Sequence, residues 1–219
     1  VVSQAAGVPV VVDNTFATPV LQNPIDLGAA MALHSATKYL GGHGDVIAGV
    51  VACGAETAVA LRRVRAITGG VMHALDGYLL HRGLTTLPVR MRQQQENAAR
   101  VAEWLSRQPQ VARVFYPGLD GDPRGLVGRQ MRGTGAMVSV ELADGYAAAS
   151  ALTSALSIFT HAVSLGGVDS LIQHPAALTH RPVPPEARPG AGVLRLSIGL
   201  ESADDLIADL ERGLATLGG

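Results

Sequence analysis

The chain has 219 residues, a formal net charge of −1 and a hydrophobic fraction of 47%. That length allows one large domain or two small ones. The near-zero charge, without a long Lys/Arg run, argues against nucleic acid as a main partner, and no apolar run approaches the length of a membrane span. Cys53 is the only cysteine, so no internal disulfide can form. This, together with the lack of a recognisable secretion signal, predicts a cytoplasmic protein.

Short strands and helices are predicted in the first part of the chain. Residues 1–7 are typical of the end of a helix. Strands are predicted over 8–12, 31–34 and 46–53, and helices over a short segment ending near Gly28 and over 55–67, where Gly69 and Gly70 follow. The third strand is almost continuous Val, Ile and Ala, which is typical of a parallel strand covered on both faces.

Pro88 is predicted to separate two domains, 1–88 and 89–219. Before it we expect a helix over 75–87, interrupted near 82–84, and after it a long helix over 90–108 with one apolar face. The smaller domain is predicted to contain strands over 111–116, 136–142 and 193–198, helices over 146–156 and 203–217, and a surface loop over 182–189. Ser202 is the predicted cap of the last helix, with Asp205 three positions on. Alternating strands and helices predict an α/β fold.

One lysine, Lys38, stands between hydroxyl residues and a glycine-rich turn in Leu33-His34-Ser35-Ala36-Thr37-Lys38-Tyr39-Leu40-Gly41-Gly42-His43-Gly44-Asp45. A lysine amine with a lowered pKa can form a Schiff base with a carbonyl cofactor. Ser35 and Thr37 lie two apart, on one side of an extended chain, and could donate to a phosphate. Asp13 ends the first apolar run and could meet a cationic ring nitrogen. Pyridoxal phosphate needs these three parts; the simpler alternative is a buried Asp13 with an incidental surface Lys38.

These segments resemble the Cys/Met-metabolism (trans-sulfuration) family of pyridoxal-phosphate enzymes. The resemblance rests on Val12-Asp13-Asn14-Thr15-Phe16, Gln22-Asn23-Pro24, and the segment from Ser35 to Asp45. That family includes cystathionine γ-synthase, cystathionine γ-lyase, methionine γ-lyase and the homoserine sulfhydrylases. The resemblance implies that Lys38 forms the Schiff base, that Asp13 is the pyridinium partner, and that Thr15, Ser35 and Thr37 belong to the cofactor-binding set.

The resemblance also implies an architecture and an assembly. The fold would be the type I pyridoxal-phosphate transferase fold, represented by the later part of a large parallel-sheet domain and a smaller C-terminal α/β domain. The chain would correspond to the C-terminal portion of a longer enzyme. A small amino acid would be the substrate, without nucleic acid or membrane partners, and the enzyme would be a homotetramer built as a dimer of dimers.

Arg195 is the one charged residue of an otherwise apolar predicted strand, so it should meet an anion. The anion could be an internal Asp or Glu. The resemblance implies instead that Arg195 binds the substrate α-carboxylate through a two-pronged hydrogen bond. It also implies that the segment 163–167, read from its own residues only as a strand ending in glycines, contributes Ser164 and Val163 to substrate binding and positions Lys38.

The remaining histidines and the cysteine are interpreted as structural. His161, His174 and His180 lack the spacing and the carboxylate or thiol company of a metal site. The resemblance implies that His174-Pro175 and Thr179-His180 form a structural turn near the active site. His43 is expected to stabilise its loop, and Cys53 to be an inert buried thiol.

The predicted activity is pyridoxal-phosphate chemistry at the γ-carbon of a sulfur amino acid or an activated homoserine. Within the family, glutamate usually occupies the place of Val163 in the synthase and the cystathionine lyase, and serine the place of Gly44, whereas methionine γ-lyases resemble this chain at both. This favours a γ-lyase. The alternatives are cystathionine γ-synthase, or an incomplete half-enzyme that keeps the fold without catalysis.

Overall fold

The computed structural model describes residues 6–119, 122–177 and 189–218. In this part of the chain β-strands, which form two sheets, are interspersed with five α-helices. The strands are β1 (Val11–Asp13), β2 (Met31–Ser35), β3 (Gly49–Cys53), β4 (Val111–Phe115), β5 (Met137–Leu142), β6 (Thr160–His161), β7 (Leu171–Gln173) and β8 (Val193–Ser197). The helices are α1 (Thr18–Leu21), α2 (Ala55–Thr68), α3 (Ala74–Leu105), α4 (Gly145–Ala155) and α5 (Ala203–Ala215), followed by a 3₁₀ turn, Thr216–Gly218. The α/β prediction is confirmed.

The first sheet has the order β1-β2-β3, and its central strand β2 leads directly into the lysine segment. β1 and β2 are parallel, whereas β3 is antiparallel to β2, with His34 opposite Val50. The prediction of a covered parallel strand over 46–53 is therefore wrong. The connection 36–48 forms tight turns without a helix, so it returns the chain beside β2 instead of crossing over. A continuous apolar run does not specify strand direction.

The second sheet has the order β4-β5-β8-β7-β6 and forms one side of the main core. Side chains of β5 alternate, so that every second residue is buried, and β8 alternates likewise until Leu196 and Ser197, which are both buried. Helix α3 packs on this sheet and helix α5 packs on α3. Their shared core includes Val138, Val140, Leu142, Leu194, Leu196, Val101, Leu105, Leu206 and Leu210. The three predicted strands of this sheet are confirmed within one residue at their ends.

Helix α3 runs without interruption for 32 residues and contains Pro88 in its interior. The predicted break near 82–84 and the helix end at Pro88 are both wrong. Pro88 leaves the carbonyl of Leu84 without its i+4 donor, but the flanking Leu87 and Met91 are buried and keep the helix packed. Gly83 is in the helix for space, because a Cβ there would lie 2.4 Å from the Gly41 carbonyl oxygen.

Several smaller predictions met a different structure. The short strands β6 and β7 were not predicted, and residues 163–167 form a loop where a strand was expected. Ser202 is the N-cap residue of α5, but its side chain makes no capping hydrogen bond. The predicted helix end at residues 1–5, His180 and most of the predicted loop over 182–189 lie outside the described residues. Within the described ranges, every helix is too short or too polar to cross a bilayer.

Candidate cofactor and substrate site

Lys38 lies in a turn that begins where β2 ends. The turn is closed by backbone bonds from Lys38 N–H to the Ser35 carbonyl, 3.1 Å, and from Gly42 N–H to the Lys38 carbonyl, 2.8 Å. The Nζ atom of Lys38 donates to Oγ of Ser164 at 2.8 Å, across 126 residues of sequence. Partial burial, and then the positive charge of Arg195, lower the pKa of Lys38. A lowered pKa makes the neutral amine more available as a nucleophile.

Ser164 joins Lys38 to Arg195. Its hydroxyl accepts from Lys38, while its carbonyl oxygen accepts from Nη2 of Arg195 at 2.7 Å. Its φ of +95° is in a region that non-glycine residues rarely adopt, and such strain is often found at functional sites. The structure thus brings together three residues that the sequence assigned to one site.

Arg195 has no carboxylate partner among the described residues, where the ion pairs involve Arg100, Arg107 and Arg212. The alternative of an internal ion pair for Arg195 therefore finds no support in this part of the chain. Burial lowers the pKa of the Arg195 guanidinium. A half-buried cation that, within the described ranges, donates to a single carbonyl favours an incoming anion. A substrate carboxylate fits this requirement.

Asp13 ends β1 and is oriented by Thr15. The backbone N–H and the hydroxyl of Thr15 both donate to Oδ1 of Asp13, at 3.0 and 2.6 Å. The same hydroxyl accepts from the backbone N–H of Ser35 at 2.8 Å. Hydrogen bonds to Asp13 from the described residues all fall on Oδ1, which leaves Oδ2 for a cationic ring nitrogen. Thr15 therefore acts by holding Asp13 beside the lysine turn, a role that the sequence did not reveal.

The two candidate phosphate ligands differ in their surroundings. Ser35 ends β2, and Thr37 already lies in the turn, so the predicted extended geometry of the pair is wrong. The Thr37 hydroxyl accepts from the N–H of Ala48 at 3.1 Å and donates to the Ala48 carbonyl at a long 3.4 Å. Its weakly held hydrogen can turn to a phosphate oxygen. Both roles stay predictions.

The other candidate residues are placed as follows. The ring of His43 binds the Gly41 carbonyl at 2.8 Å, which confirms its role in stabilising the loop. His174 is buried, binds the Ala191 carbonyl at 2.8 Å and packs on the Tyr146 ring. Val163, beside Ser164, is 56% exposed. Cys53, expected to be buried, is half-buried at the end of β3.

A metal-binding group of three His, Cys, Asp or Glu side chains was not found among the described residues. The residues at the site fit pyridoxal phosphate on other grounds. Lys38 offers an amine with a lowered pKa, and Asp13 offers a carboxylate oxygen, Oδ2, to which no described residue donates. Ser35 and Thr37 offer hydroxyl donors in the same segment as Lys38. These are the parts that the cofactor requires.

A lysine turn joined through a strained serine to an arginine, with an aspartate on the neighbouring strand, is an arrangement expected of a pyridoxal-phosphate enzyme. Residues 1–215 match the Cys/Met metabolism PLP-dependent enzyme family, and the chain belongs to that family. It is 60% identical to the L-methionine gamma-lyase of Brevibacterium aurantiacum, over 96% of this chain and 52% of that protein. It is 53% identical to the L-methionine gamma-lyase of Streptomyces avermitilis, over 95% of this chain and 48% of that protein.

Solved structures give the same fold. A cystathionine gamma-lyase from Micromonospora echinospora is 44% identical with a TM-score of 0.93, over 97% of this chain and 57% of that chain. A cystathionine gamma-synthase from Xanthomonas oryzae is 46% identical with a TM-score of 0.93, over the same shares. The predictions of family, fold and cofactor are confirmed. The chain spans about half the length of the relatives it matches.

Proposed function

We propose that the full-length protein is a pyridoxal-phosphate-dependent γ-lyase of sulfur amino acids, with methionine or homocysteine as preferred substrate. The observation that carries the proposal is the continuous contact from Lys38 through Ser164 to Arg195, at 2.8 and 2.7 Å. It places an amine with a lowered pKa beside a cation that can hold an amino-acid carboxylate. High identity to curated relatives named L-methionine gamma-lyase supports the choice of reaction.

Each residue then has a defined task. Pyridoxal phosphate, when bound, supplies an electron sink that makes Cα of the substrate acidic. Asp13 would hold the ring nitrogen in its protonated form, and Ser35 and Thr37 would donate to the phosphate. Arg195 binds the substrate carboxylate. The Nζ atom of Lys38 would take a proton from Cα and move protons among the carbon atoms of the substrate while the leaving group departs from Cγ.

Val163 provides the argument for a lyase acting on short thioethers. It directly precedes Ser164 and its side chain is exposed, and we infer that it lines the distal end of the substrate pocket. An apolar residue there offers no partner to the distal ammonium of cystathionine. Leaving that charge unpaired should cost about 1–3 kcal/mol, which is roughly ten- to two-hundred-fold in specificity. Methionine and homocysteine avoid this penalty.

The test measures kcat/KM of the full-length protein for methionine, homocysteine and cystathionine by release of α-ketobutyrate and ammonia. We expect methionine or homocysteine to react at least as efficiently as cystathionine, and Val163→Glu to shift the preference toward cystathionine. Formation of cystathionine from an O-acylhomoserine and cysteine is measured in parallel. If that reaction dominates in the wild type, the protein is a cystathionine γ-synthase, which is the second candidate.

Cofactor attachment is tested separately. Borohydride should fix the cofactor on Lys38, and a peptide map that places it on another residue would contradict the site. The incomplete half-enzyme remains the alternative for the chain alone, since it spans about half of its relatives. The N-terminal sequence and intact mass of the natural protein decide whether further residues complete it.

We further propose a homotetramer in the cytoplasm, and a domain division at about residue 88 within α3. Exposed apolar side chains support burial by further protein, because large apolar patches are uncommon on free surfaces. Ile47 is 88% exposed and Ile67 is 76% exposed, and α2 has no buried residue. Light scattering that shows a stable, active monomer of the full-length protein would overturn the tetramer.

A further inference from the structure

We propose that Arg90 and Gln94 of α3 are positioning residues, which together fix the distance between the lysine turn and the Ser164 loop. The proposal rests on the proposed function of Lys38, but it concerns the support of the site and not its chemistry. Arg90 and Gln94 are four residues apart, so their side chains lie on the same face of the helix. Both are almost completely buried.

Arg90 connects helix α3 to the lysine turn by a hydrogen bond. Its Nη1 donates to the carbonyl of Tyr39, the residue directly after Lys38, at 2.9 Å. Its Nη2 donates to the Gly83 carbonyl at 2.8 Å, and its Nε to the Thr86 hydroxyl at 3.0 Å. No ion pair to Arg90 was found in the described part of the chain. Burying a cation that contacts only main-chain and hydroxyl oxygens is costly. We infer that Arg90 is present because its hydrogen bonds hold those carbonyls in place.

Gln94 holds the Ser164 loop. Its Nε2 donates to the carbonyl of Gly167 at 2.7 Å and to that of Ile198 at 3.1 Å. The Oε1 atom has no partner among the described residues. An amide that leaves its acceptor unused is retained for its two donors. These donors tie the end of the 163–167 loop to the chain just after β8, the strand that carries Arg195.

Glycines let the supported segments approach each other and the helix. A Cβ at Gly42 would lie 2.2 Å from Nη1 of Arg90, and one at Gly83 would lie 2.4 Å from the Gly41 carbonyl. A Cβ at Gly166 would lie 2.8 Å from the backbone nitrogen of Tyr39. The lysine turn, the Ser164 loop and α3 are therefore in direct backbone contact. A shift of either segment would change the Lys38–Ser164 hydrogen bond.

Asn97 provides an internal comparison on the same helix. It is buried to the same degree, and its Nδ2 also donates to two carbonyls, those of Gly199 at 3.2 Å and Glu201 at 2.8 Å. Neither carbonyl belongs to the lysine turn or the Ser164 loop. A purely structural role would make Asn97 equivalent to Arg90 and Gln94. A positioning role would separate them.

The experiment compares Arg90→Met, Arg90→Lys and Gln94→Met with the control Asn97→Leu in the full-length protein. Thermal unfolding of the holoenzyme gives the stability of each variant. After removal of the cofactor, competitive acetylation with acetic anhydride across pH, followed by peptide mapping, gives the reactivity and ionisation midpoint of the Lys38 amine. The cofactor is then restored and trapped with borohydride.

We expect the Lys38 midpoint to rise in Arg90→Met and Gln94→Met, because the amine leaves its partly buried place near Arg195. Its reactivity below the midpoint should fall about tenfold for each pKa unit of that rise. Arg90→Lys should partly restore the wild-type midpoint, since it keeps a donor in place. Asn97→Leu should lose thermal stability and keep the wild-type midpoint.

An unchanged midpoint in Gln94→Met and the Arg90 variants would overturn the proposal, as would an equal rise in Asn97→Leu. If Arg90→Met does not fold, Arg90→Lys and Gln94→Met decide the matter. Acetylation needs no cofactor, so it judges the positioning role independently. Failure of borohydride trapping in the wild type would instead count against the proposed function.

Discussion

Replacement of Ser164 separates two effects that this residue combines. Ser164→Ala removes the hydroxyl that accepts from Lys38 but keeps the contact with Arg195, because Arg195 binds the main-chain oxygen. Ser164→Gly removes the same hydroxyl and also relieves the backbone strain of a φ of +95°. The two variants should therefore lose the same function and differ in stability.

The magnitudes follow from the contacts. A hydrogen bond from a charged donor contributes about 1.5–3 kcal/mol, and the lower end applies to the partly exposed Lys38. Both variants should lose about tenfold in kcat/KM, which corresponds to roughly 1.4 kcal/mol. Relief of the strain contributes about 1–3 kcal/mol, offset by about 0.4–1 kcal/mol for the more flexible unfolded glycine chain. Ser164→Gly should be more stable than Ser164→Ala by about 1 kcal/mol.

The assay combines steady-state kinetics on the preferred substrate with urea unfolding of both variants of the full-length protein. A Ser164→Ala enzyme that keeps its kcat/KM within twofold would refute the orienting role of the hydroxyl. A Ser164→Gly protein that is less stable than Ser164→Ala would refute the reasoning from backbone strain. Borohydride trapping should still label Lys38 in both, which serves as the control for an intact site.

Three further results are expected. Lys38→Ala should abolish turnover and cofactor trapping but change the free energy of unfolding by no more than about 1.5 kcal/mol, because its side chain makes one partly exposed hydrogen bond; urea unfolding and kcat check this. Gly42→Ala should destabilise by more than about 2 kcal/mol, since its φ is +74° and the new methyl would meet the anchored guanidinium of Arg90; a midpoint of thermal unfolding equal to the wild type would contradict this. Burial alone would raise the pKa of Asp209, but donors from three backbone N–H groups and the charge of Arg212 outweigh it, so the pKa falls below the ordinary value of an aspartate. The stabilisation by Asp209 should be complete above that ordinary value and be lost as the pH falls through the lower folded value, and Asp209→Asn should flatten that acid limb in denaturant titrations.

Helices whose residues show a clear local sequence pattern were predicted correctly. Helix α5 was predicted because Leu206, Leu210 and Leu214 recur at helical spacing, and all three are buried in the core. Helix α2 was predicted because Gly69 follows it, and that glycine indeed adopts a φ of +72°. Lys38 and Asp13 were predicted as site residues from their neighbours in sequence.

Features that depend on contacts between distant segments could not be predicted from the sequence. Gly83 and Pro88 indicated a helix break by propensity, but the close approach of Gly41 and the burial of Leu87 override it. The direction of β3 depends on how the lysine turn folds back, which a run of aliphatic residues does not encode. The support from Arg90 and Gln94 left one trace: two polar residues on the helix face that Met91 and Ala98 predict to be apolar.

Ser164 contacts both Lys38 and Arg195, and this proximity makes the basicity of the Lys38 amine depend on whether substrate is bound to Arg195. Burial, and after it the charge of Arg195, lower the pKa of Lys38 in the free site. A substrate carboxylate on Arg195 would neutralise that charge and so weaken one of the two effects. The empty enzyme would then keep its lysine ready to attack, and the loaded enzyme would gain a stronger base at the time a proton must be taken from Cα. The ion pair between Arg195 and the substrate carboxylate would therefore set when Lys38 acts as a nucleophile and when it acts as a base.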